Sequence, residues 1–290
     1  MGRWERFWRT IFPSSVAHAF SQHHRDISAH DRRAVGGRTT LCGVQEKHDR
    51  ERKITDLPLF FATLPSMKIL VLVAGTNNPS NANALSDAFI QGIQQHGDVQ
   101  VDKIRLKDLR IDHFTVDYYD PQCSMEEDFC AVQDLVEASH GLVFATPVWN
   151  FGVPAHLKNL LDRFGSFALD ETRSRGTLGG KPFYLIFTGG APAPAWKGLM
   201  QKTTSFVSES LKYFGGSYIG HHFEGKCTVG RGKFGLVVDS RPESLASVRK
   251  QGHDFAKVVA EFERTGKAPV KHRARAKIVQ WGEALLKKVT

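Results

Sequence analysis

Long hydrophobic runs are missing from this chain of 290 residues, although 41% of its residues are apolar. No stretch approaches the ~20 consecutive apolar residues that cross a bilayer, so we expect no membrane partner. Cysteine is also scarce, and its four residues form no CxxC pair, which argues against a disulfide scaffold, a zinc knuckle or an iron–sulfur cluster. We therefore expect a protein of a reducing, cytoplasmic compartment that binds no metal. The cysteines are Cys42, Cys123, Cys130 and Cys227.

The loop after the apolar run at 69–74 lacks the usual marks of a nucleotide site. Residues 69–74 are all apolar, which is typical of a strand buried on both faces, and Gly75 ends the run. The loop has no lysine for a Walker motif and no second glycine for a dinucleotide motif. No Lys or Arg at all occurs between Ile69 and Asp102, so any anion bound here would be held by neutral donors.

What the loop does contain is a set of small hydrogen-bonding side chains in front of a helix. The residues GTNNPSNAN precede Leu85, Phe89 and Ile93, whose spacing of four predicts an amphipathic helix. A buried strand, a polar turn and a helix N-terminus direct backbone N–H groups at one point, where a phosphate monoester can bind. A capped helix without a ligand, with Ser80 or Asn81 as the N-cap, explains the same residues equally well.

The two ends of the chain differ in composition from its centre. Residues 1–66 hold 11 of the 39 basic side chains and 7 of the 30 acidic ones, so +4 of the net charge of +9 lies there and +5 remains. They show no sustained period, and we expect a disordered or adventitious extension. Residues 266–290 are basic with a helical apolar stripe. Such a helix can bind nucleic acid or an acidic membrane, but packing on its own domain or on a partner subunit is favoured, so no nucleic-acid partner is expected.

Between these ends, residues 67–265 alternate apolar runs with helical patterns, the signature of a doubly wound parallel sheet with helices on both faces. Ligands of such sheets bind beyond the carboxyl ends of the strands. Three strand ends carry candidate loops, 75–83, 146–152 and 188–195, and one ligand that contacts all three is the simplest hypothesis. Predicted strands cover 69–74, 99–105, 141–145, 182–188, 217–223 and 234–238, predicted helices cover 84–96, 128–139, 153–164, 198–214 and 244–262, and 112–127 is predicted to be a surface loop.

Three segments resemble one known family. GTNNPSNAN after the first strand, TPVWNFGVPAHLKNLLDRF after the third and GKPFYLIFTGG at the fourth are similar to the NADPH-dependent FMN reductase family of flavodoxin-like proteins. The resemblance covers roughly residues 67–262 and implies a flavodoxin-like, five-stranded parallel sheet. It also implies an enzyme that moves a hydride from NAD(P)H to bound FMN, and then electrons to a quinone, a flavin or a similar small acceptor.

The resemblance further implies which residues contact the cofactor. The first loop would hold the FMN phosphate, the second would line the isoalloxazine ring, and the third would approach that ring. No residue stands out as a general acid or base, and none is needed for hydride transfer to a flavin. The implied cofactor contacts are Thr76, Asn78, Ser80, Asn81, Asn83, Pro147, Val148, Trp149, Asn150, Phe151, Thr188, Gly189 and Gly190.

Two functions from different classes remain open at this point. The resemblance implies a homodimeric or homotetrameric oxidoreductase with NAD(P)H as co-substrate. The alternative is a flavodoxin-like electron carrier that is reduced by a protein partner and does not use pyridine nucleotides. The net charge of +5 on residues 67–290 favours the enzyme, because NAD(P)H and many acceptors are anions.

Overall fold

The computed structural model describes residues 67–230 and 233–267 of the chain. Five strands form one sheet in the order β2-β1-β3-β4-β5, and every neighbouring pair is parallel. The predicted doubly wound parallel sheet is therefore confirmed. The strands are β1 (Met67–Val73), β2 (Val99–Arg105), β3 (Gly141–Pro147), β4 (Pro182–Thr188) and β5 (Ser217–Glu224).

Five helices of ten or more residues cover both faces of this sheet in the described part of the chain. Shorter helical turns occupy 106–108, 116–119 and 238–240, and a helical turn at 193–195 leads through a π-helical turn at 196–200 into the fourth long helix. None of the helices in the described ranges is long and apolar enough to cross a membrane. The long helices are α1 (Asn81–Gln94), α2 (Glu127–Ala138), α3 (Ala155–Phe164), α4 (Gln201–Tyr213) and α5 (Pro242–Thr265).

The apolar run of β1 separates two hydrophobic cores. Its odd-numbered residues Ile69, Val71 and Val73 pack with α1 and α5, whereas Leu70 and Leu72 pack with α2, α3 and α4. Successive side chains of a strand point to opposite faces, so a strand covered on both sides needs apolar residues at every position. This is why the run shows no polar alternation.

Helices α1 and α5 cross where two glycines let their backbones touch. A Cβ atom at Gly92 would lie 1.8 Å from the carbonyl oxygen of Arg249, and one at Gly252 would lie 2.0 Å from that of Phe89. No larger residue fits either position without moving a helix. The crossing fixes the distance between α1 and α5, both of which begin beside the carboxyl edge of the sheet.

A buried arginine holds the long connection between β2 and α2. Arg163 of α3 is fully buried and pairs with Glu126 at 2.7 Å, and its guanidinium lies 3.4 Å from the ring centre of Tyr118. Burial opposes ionisation of Glu126, but the hydrogen bonds from Arg163, the hydrogen bonds from backbone N–H groups and the charge of Arg163 together outweigh it and lower the pKa of this carboxyl to about 2. The predicted surface loop is thus anchored to the helix layer by a charge pair.

One predicted strand is wrong. Residues 234–238 join no strand of the sheet; they run irregularly into the helical turn at 238–240. The backbone N–H groups of Val237 and Val238 donate to the side-chain oxygen of Asn81 instead of to a neighbouring strand. The predictions for residues 1–66 and for the basic helix beyond residue 267 lie outside the described residues.

Candidate functional site

A cavity of about 270 Å³ opens at the carboxyl ends of β1, β3 and β4. The chain reverses its direction across the sheet between β1 and β3, since β2 lies on one side of β1 and β3 on the other. Parallel α/β sheets bind their ligands at this switch point. The lining residues are Gly75, Thr76, Asn77, Ser80, Asn81, Ala82, Pro147, Val148, Trp149, Thr188, Gly189, Gly190, Ala191, Cys227, Thr228, Phe234 and Gly235.

One end of the cavity is rich in backbone donors; we call residues 75–82 the anion loop. Among the loop residues that line the cavity, the backbone N–H groups of Thr76, Asn77, Asn81 and Ala82 find no acceptor in the part of the chain that the structure describes. Two of them belong to the first turn of α1, where the helix dipole places partial positive charge. The first turn of α1 contains no acidic residue. This end of the cavity is therefore suited to an anion.

Ser80 is the N-cap of α1, as one of the two predicted alternatives has it. Its Oγ accepts the backbone N–H of Asn83 at 3.3 Å. A Cβ at Gly75 would be 2.4 Å from that Oγ. The turn between β1 and α1 thus depends on a glycine where the capping side chain passes.

Two side chains from other elements hold the strand end and the loop. Arg105, the last residue of β2, donates through Nη2 to the carbonyl oxygens of Asn77 at 3.0 Å and Gly75 at 3.4 Å. His156 at the start of α3 contacts the carbonyl oxygen of Ala74 through Nε2 at 3.0 Å. Burial lowers the pKa of His156, so the ring is neutral at pH 7 and Nε2 donates its proton.

The structure separates the predicted residues of this loop into two groups. Thr76, Ser80 and Asn81 line the cavity, whereas Asn78 and Asn83 do not. Asn83 is turned along α1, where its Nδ2 donates to Asp87 at 3.2 Å.

Asn81 connects the anion loop to a distant segment. Its Nδ2 donates to the carbonyl oxygen of Gly235 at 2.8 Å, and its Oδ1 accepts the backbone N–H of Val237 at 2.9 Å. The side-chain amide is therefore used to hold the connection between β5 and α5 against the cavity. Its own backbone N–H stays available for a ligand.

The other end of the cavity is apolar, and we call Pro147, Val148, Trp149 and Phe234 the aromatic wall. The ring of Phe234 meets that of Trp149 edge-on, with centroids 4.8 Å apart. Phe234 is 60% exposed, so much of its ring is accessible at the cavity. A flat conjugated ligand can pack against such a surface.

The predicted residues Asn150 and Phe151 lie outside this wall. They form the tip of a tight turn in which Trp149 and Gly152 exchange backbone hydrogen bonds at 2.9 and 2.8 Å. Both have positive φ angles, 48° and 65°, and Phe151 is 55% exposed. Hairpin turns of this kind favour asparagine and glycine, so a phenylalanine here is strained.

The third loop reaches the cavity at all three predicted positions, Thr188, Gly189 and Gly190. The N–H of Gly189 donates to the carbonyl oxygen of Glu224 at 3.0 Å, and its own carbonyl accepts the N–H of Cys227 at 2.9 Å. These bonds join the loop after β4 to the connection after β5. Cys227, a cavity residue that the sequence did not single out, has its pKa raised to about 11 by burial, so its thiol stays protonated.

Glu224 anchors the connection that carries Cys227 and Phe234. Its carboxylate accepts hydrogen bonds from His222 at 3.1 Å, Arg241 at 2.6 Å and Ser244 at 3.2 Å. Burial raises the pKa of Glu224, but the interactions with His222, Arg241 and Ser244 together outweigh this and hold the pKa below its ordinary value. The carboxylate is fully engaged in this support, so we assign it no chemical step.

The described residues that line the cavity include no His, Asp, Glu, Lys or Arg. Among residues 67–230 and 233–267, no group of three or more His, Cys, Asp or Glu side chains is placed to hold a metal ion. The arrangement offers an anion site at one end and an apolar surface at the other. It can bind and orient a molecule that carries both a phosphate and a flat ring.

Comparison with known proteins agrees with this architecture. The family model described as a flavodoxin-like fold matches residues 67–231. A Bacillus subtilis protein, YwqN, named as an NAD(P)H-dependent FMN-containing oxidoreductase, is 30% identical over 137 residues, which are 46% of this chain and 72% of that protein. An iron–sulfur flavoprotein of Archaeoglobus fulgidus is 24% identical over 152 residues, 51% of this chain. The chain spans 64% of that protein's length.

Solved structures show the same fold at low sequence identity. An NAD(P)H:quinone oxidoreductase from Methanothermobacter marburgensis superposes with a TM-score of 0.55 at 17% identity, over 65% of this chain and 96% of the other. A flavone reductase gives a TM-score of 0.52 at 19% identity, over 70% of this chain and 66% of the other. At such identities the likeness concerns the fold. The family model covers more than half of the chain and one relative reaches 30% identity, which confirms the family resemblance seen in the three loops: the chain belongs to the flavodoxin-like fold family.

Proposed function

We propose that this protein is an NAD(P)H-dependent oxidoreductase that binds FMN in the cavity at the carboxyl edge of its sheet. Electrons from NAD(P)H would pass to a quinone, a flavin or a similar small acceptor. The observation that carries the proposal is the pairing of unpartnered backbone donors at one end of a single cavity with an aromatic wall at the other.

The residues present fit the two chemically different parts of FMN. A phosphate monoester would receive N–H groups from the anion loop and the N-terminus of α1, without needing a lysine or a metal ion. The isoalloxazine ring would pack on Trp149 and its neighbours in the aromatic wall. On the third side the cavity is lined by the small residues Gly189 and Gly190, and a Cβ at Gly190 would come within 3.3 Å of Thr228, another lining residue.

The protein's part in the reaction is to bind and orient the cofactor. FMN, when bound, supplies the hydride-accepting and electron-transferring chemistry. The N–H of Val148 is already used by the carbonyl of Thr188 at 2.7 Å, which fixes the second loop to the third. The N–H groups of Asn150 and Phe151 have no acceptor among the described residues, so this turn has donors left for polar ring edges.

The names of the relatives support the choice of enzyme over carrier. The Bacillus subtilis relative carries both NAD(P)H and FMN in its name. The net charge of +5 on residues 67–290 also favours anionic co-substrates over a basic protein partner. A homodimer or homotetramer in the cytoplasm remains part of this proposal.

Two measurements on purified protein test the proposal. The first is the visible absorption spectrum before and after addition of FMN, with mass identification of any nucleotide released on denaturation. The second is anaerobic addition of NADH or NADPH to the FMN-loaded protein, which should bleach the flavin absorbance without another protein. A loaded protein that stays yellow would favour the electron carrier, and a protein that refuses FMN at micromolar concentration would end both functions.

A further inference from the structure

The anion loop has no cationic side chain of its own, yet a guanidinium lies directly behind it. Arg105 ends β2 and stands opposite Val73 in the parallel register of β1 and β2. From there its Nη2 reaches the carbonyl oxygens of Gly75 and Asn77. Arg105 does not itself line the cavity. Its contacts are therefore with the back of the loop.

We infer that Arg105 is a positioning residue that makes the anion loop selective for a phosphate-bearing ligand. The inference rests on the proposed function. The C=O and N–H groups of a planar trans peptide point in opposite directions. When Arg105 draws the carbonyl oxygens of Gly75 and Asn77 to itself, the N–H groups of the same two peptides, those of Thr76 and Asn78, are turned away from the guanidinium. Of these two residues, Thr76 lines the cavity and presents its N–H group there. Neither N–H group has an acceptor in the described residues.

The charge of Arg105 adds to this orientation. A guanidinium bound to two carbonyl oxygens polarises those peptides, and hydrogen bonds in such a chain strengthen one another. The Nε of Arg105 is buried and has no hydrogen-bond partner in the described structure, so the side chain gives up solvation to keep this position. A positive charge supplied from the neighbouring strand replaces the basic side chain that the loop lacks.

A comparison of FMN with riboflavin, which is FMN without its phosphate, tests the inference by binding alone. We would titrate wild type, Arg105→Met and Arg105→Lys with each flavin and follow fluorescence quenching. The Met variant should weaken FMN binding by about 10- to 100-fold, the range expected for losing two charge-assisted hydrogen bonds. Riboflavin binding should change by less than about threefold. The Lys variant should be intermediate, because it keeps the charge but not the planar donors.

The matched control is Lys107→Met, which removes a positive charge two residues along the chain from Arg105. The side chain of Lys107 is paired with Asp108 at 2.9 Å. It should leave both affinities unchanged. Three results would overturn the inference: unchanged FMN binding in Arg105→Met, equal loss of both flavins, or full recovery by lysine. If the wild type binds neither flavin, the proposed function itself fails, which is a separate outcome from these three.

Discussion

The two ends of the cavity are built in different ways. The anion loop is one contiguous segment whose useful groups are backbone N–H donors, set by a strand end, a serine cap and a helix start. The aromatic wall takes Pro147, Val148 and Trp149 from one connection and Phe234 from another far along the chain. A contiguous backbone site can be predicted from its local sequence, whereas a wall shared by two connections exists only after the fold has formed.

The largest effect is expected on stability, at the crossing of α1 and α5. Helix α1 begins at the anion loop, and α5 follows the connection that carries Phe234. Gly252→Ala would place a Cβ 2.0 Å from the carbonyl oxygen of Phe89 at the crossing of α1 and α5. Separating the helices should cost about 3 kcal/mol or more of unfolding free energy, measured by urea denaturation. Gly198→Ala is the control, since a Cβ at that position meets nothing within 4 Å. An unchanged urea midpoint in the Gly252 variant would show that the crossing is not tight.

The next effect should come from the side chain that joins the two ends. Asn81→Asp would exchange the donor to Gly235 for a carboxylate beside the anion loop. At an effective dielectric near 20, a new negative charge in the cavity lining near a phosphate dianion should weaken FMN binding by about 100-fold, or ~2.7 kcal/mol.

Asn83→Asp is the informative control for that substitution. The same change is made two residues away, but this side chain faces Asp87 along α1 and does not line the cavity. FMN affinity should fall by less than about fivefold there, because the new charge lies farther away and is screened by solvent. Equal losses in the two variants would contradict the division of the predicted asparagines into one that lines the cavity and one that does not.

A third test concerns the connection between β2 and α2, none of whose residues lines the cavity. We expect that weakening this connection lowers stability without changing flavin binding at either end of the cavity. Glu126 has its pKa lowered to about 2 from 4.5 beside Arg163. A lowered pKa contributes stability that is fully present above 4.5 and is lost as the pH falls from 4.5 towards 2. Glu126→Gln should therefore lower the free energy of unfolding by about 2 kcal/mol at pH 7, after allowance for the partial exposure of the carboxyl, and by little at pH 2.

The measurement is urea denaturation of wild type and Glu126→Gln across this pH range, with FMN titration at pH 7. The difference in stability between the two proteins should shrink towards low pH, and FMN affinity at pH 7 should be unchanged. A difference that is constant with pH would mean that Glu126 acts by packing instead of charge. A parallel loss of FMN affinity would mean that the connection supports the site.

The fold could be predicted from the sequence because it depends on local patterns. The run from Ile69 to Ala74 had to be apolar throughout to serve two cores, and it preceded a turn with a glycine and a capping serine. Those are short-range requirements with recognisable residues. The parallel sheet followed from the alternation of predicted strands with helical patterns, and five of the six predicted strands form it. Its flavodoxin-like form was implied by the family resemblance and is confirmed.

The site was predicted less completely, and each difference has a physical cause. Phe234 was missed because residues 234–238 resemble a strand in composition, while Asn81, more than 150 positions earlier, holds them in an irregular course. Arg105 was missed because its role depends on the register between β1 and β2. Asn83 was included because sequence spacing does not reveal which way a side chain on the first turn of a helix is directed.

The smallest expected effect, that of Phe234→Ala on flavin affinity, distinguishes the two ends of the cavity most clearly. It does so because the two ends should respond differently to FMN and to riboflavin. Phe234→Ala would remove the exposed ring that meets Trp149 and should weaken FMN and riboflavin by the same factor, about tenfold or ~1.4 kcal/mol. Val229→Ala is the control, since Val229 is 63% exposed in the same connection but does not line the cavity. Titration of both flavins gives the ratio of their affinities. That ratio should stay constant in the Phe234 variant and fall in Arg105→Met, because only the anion loop distinguishes a flavin that has a phosphate from one that lacks it. If Phe234→Ala also changed the ratio, the aromatic wall would be acting through the anion loop, and the two ends could no longer be treated as separate.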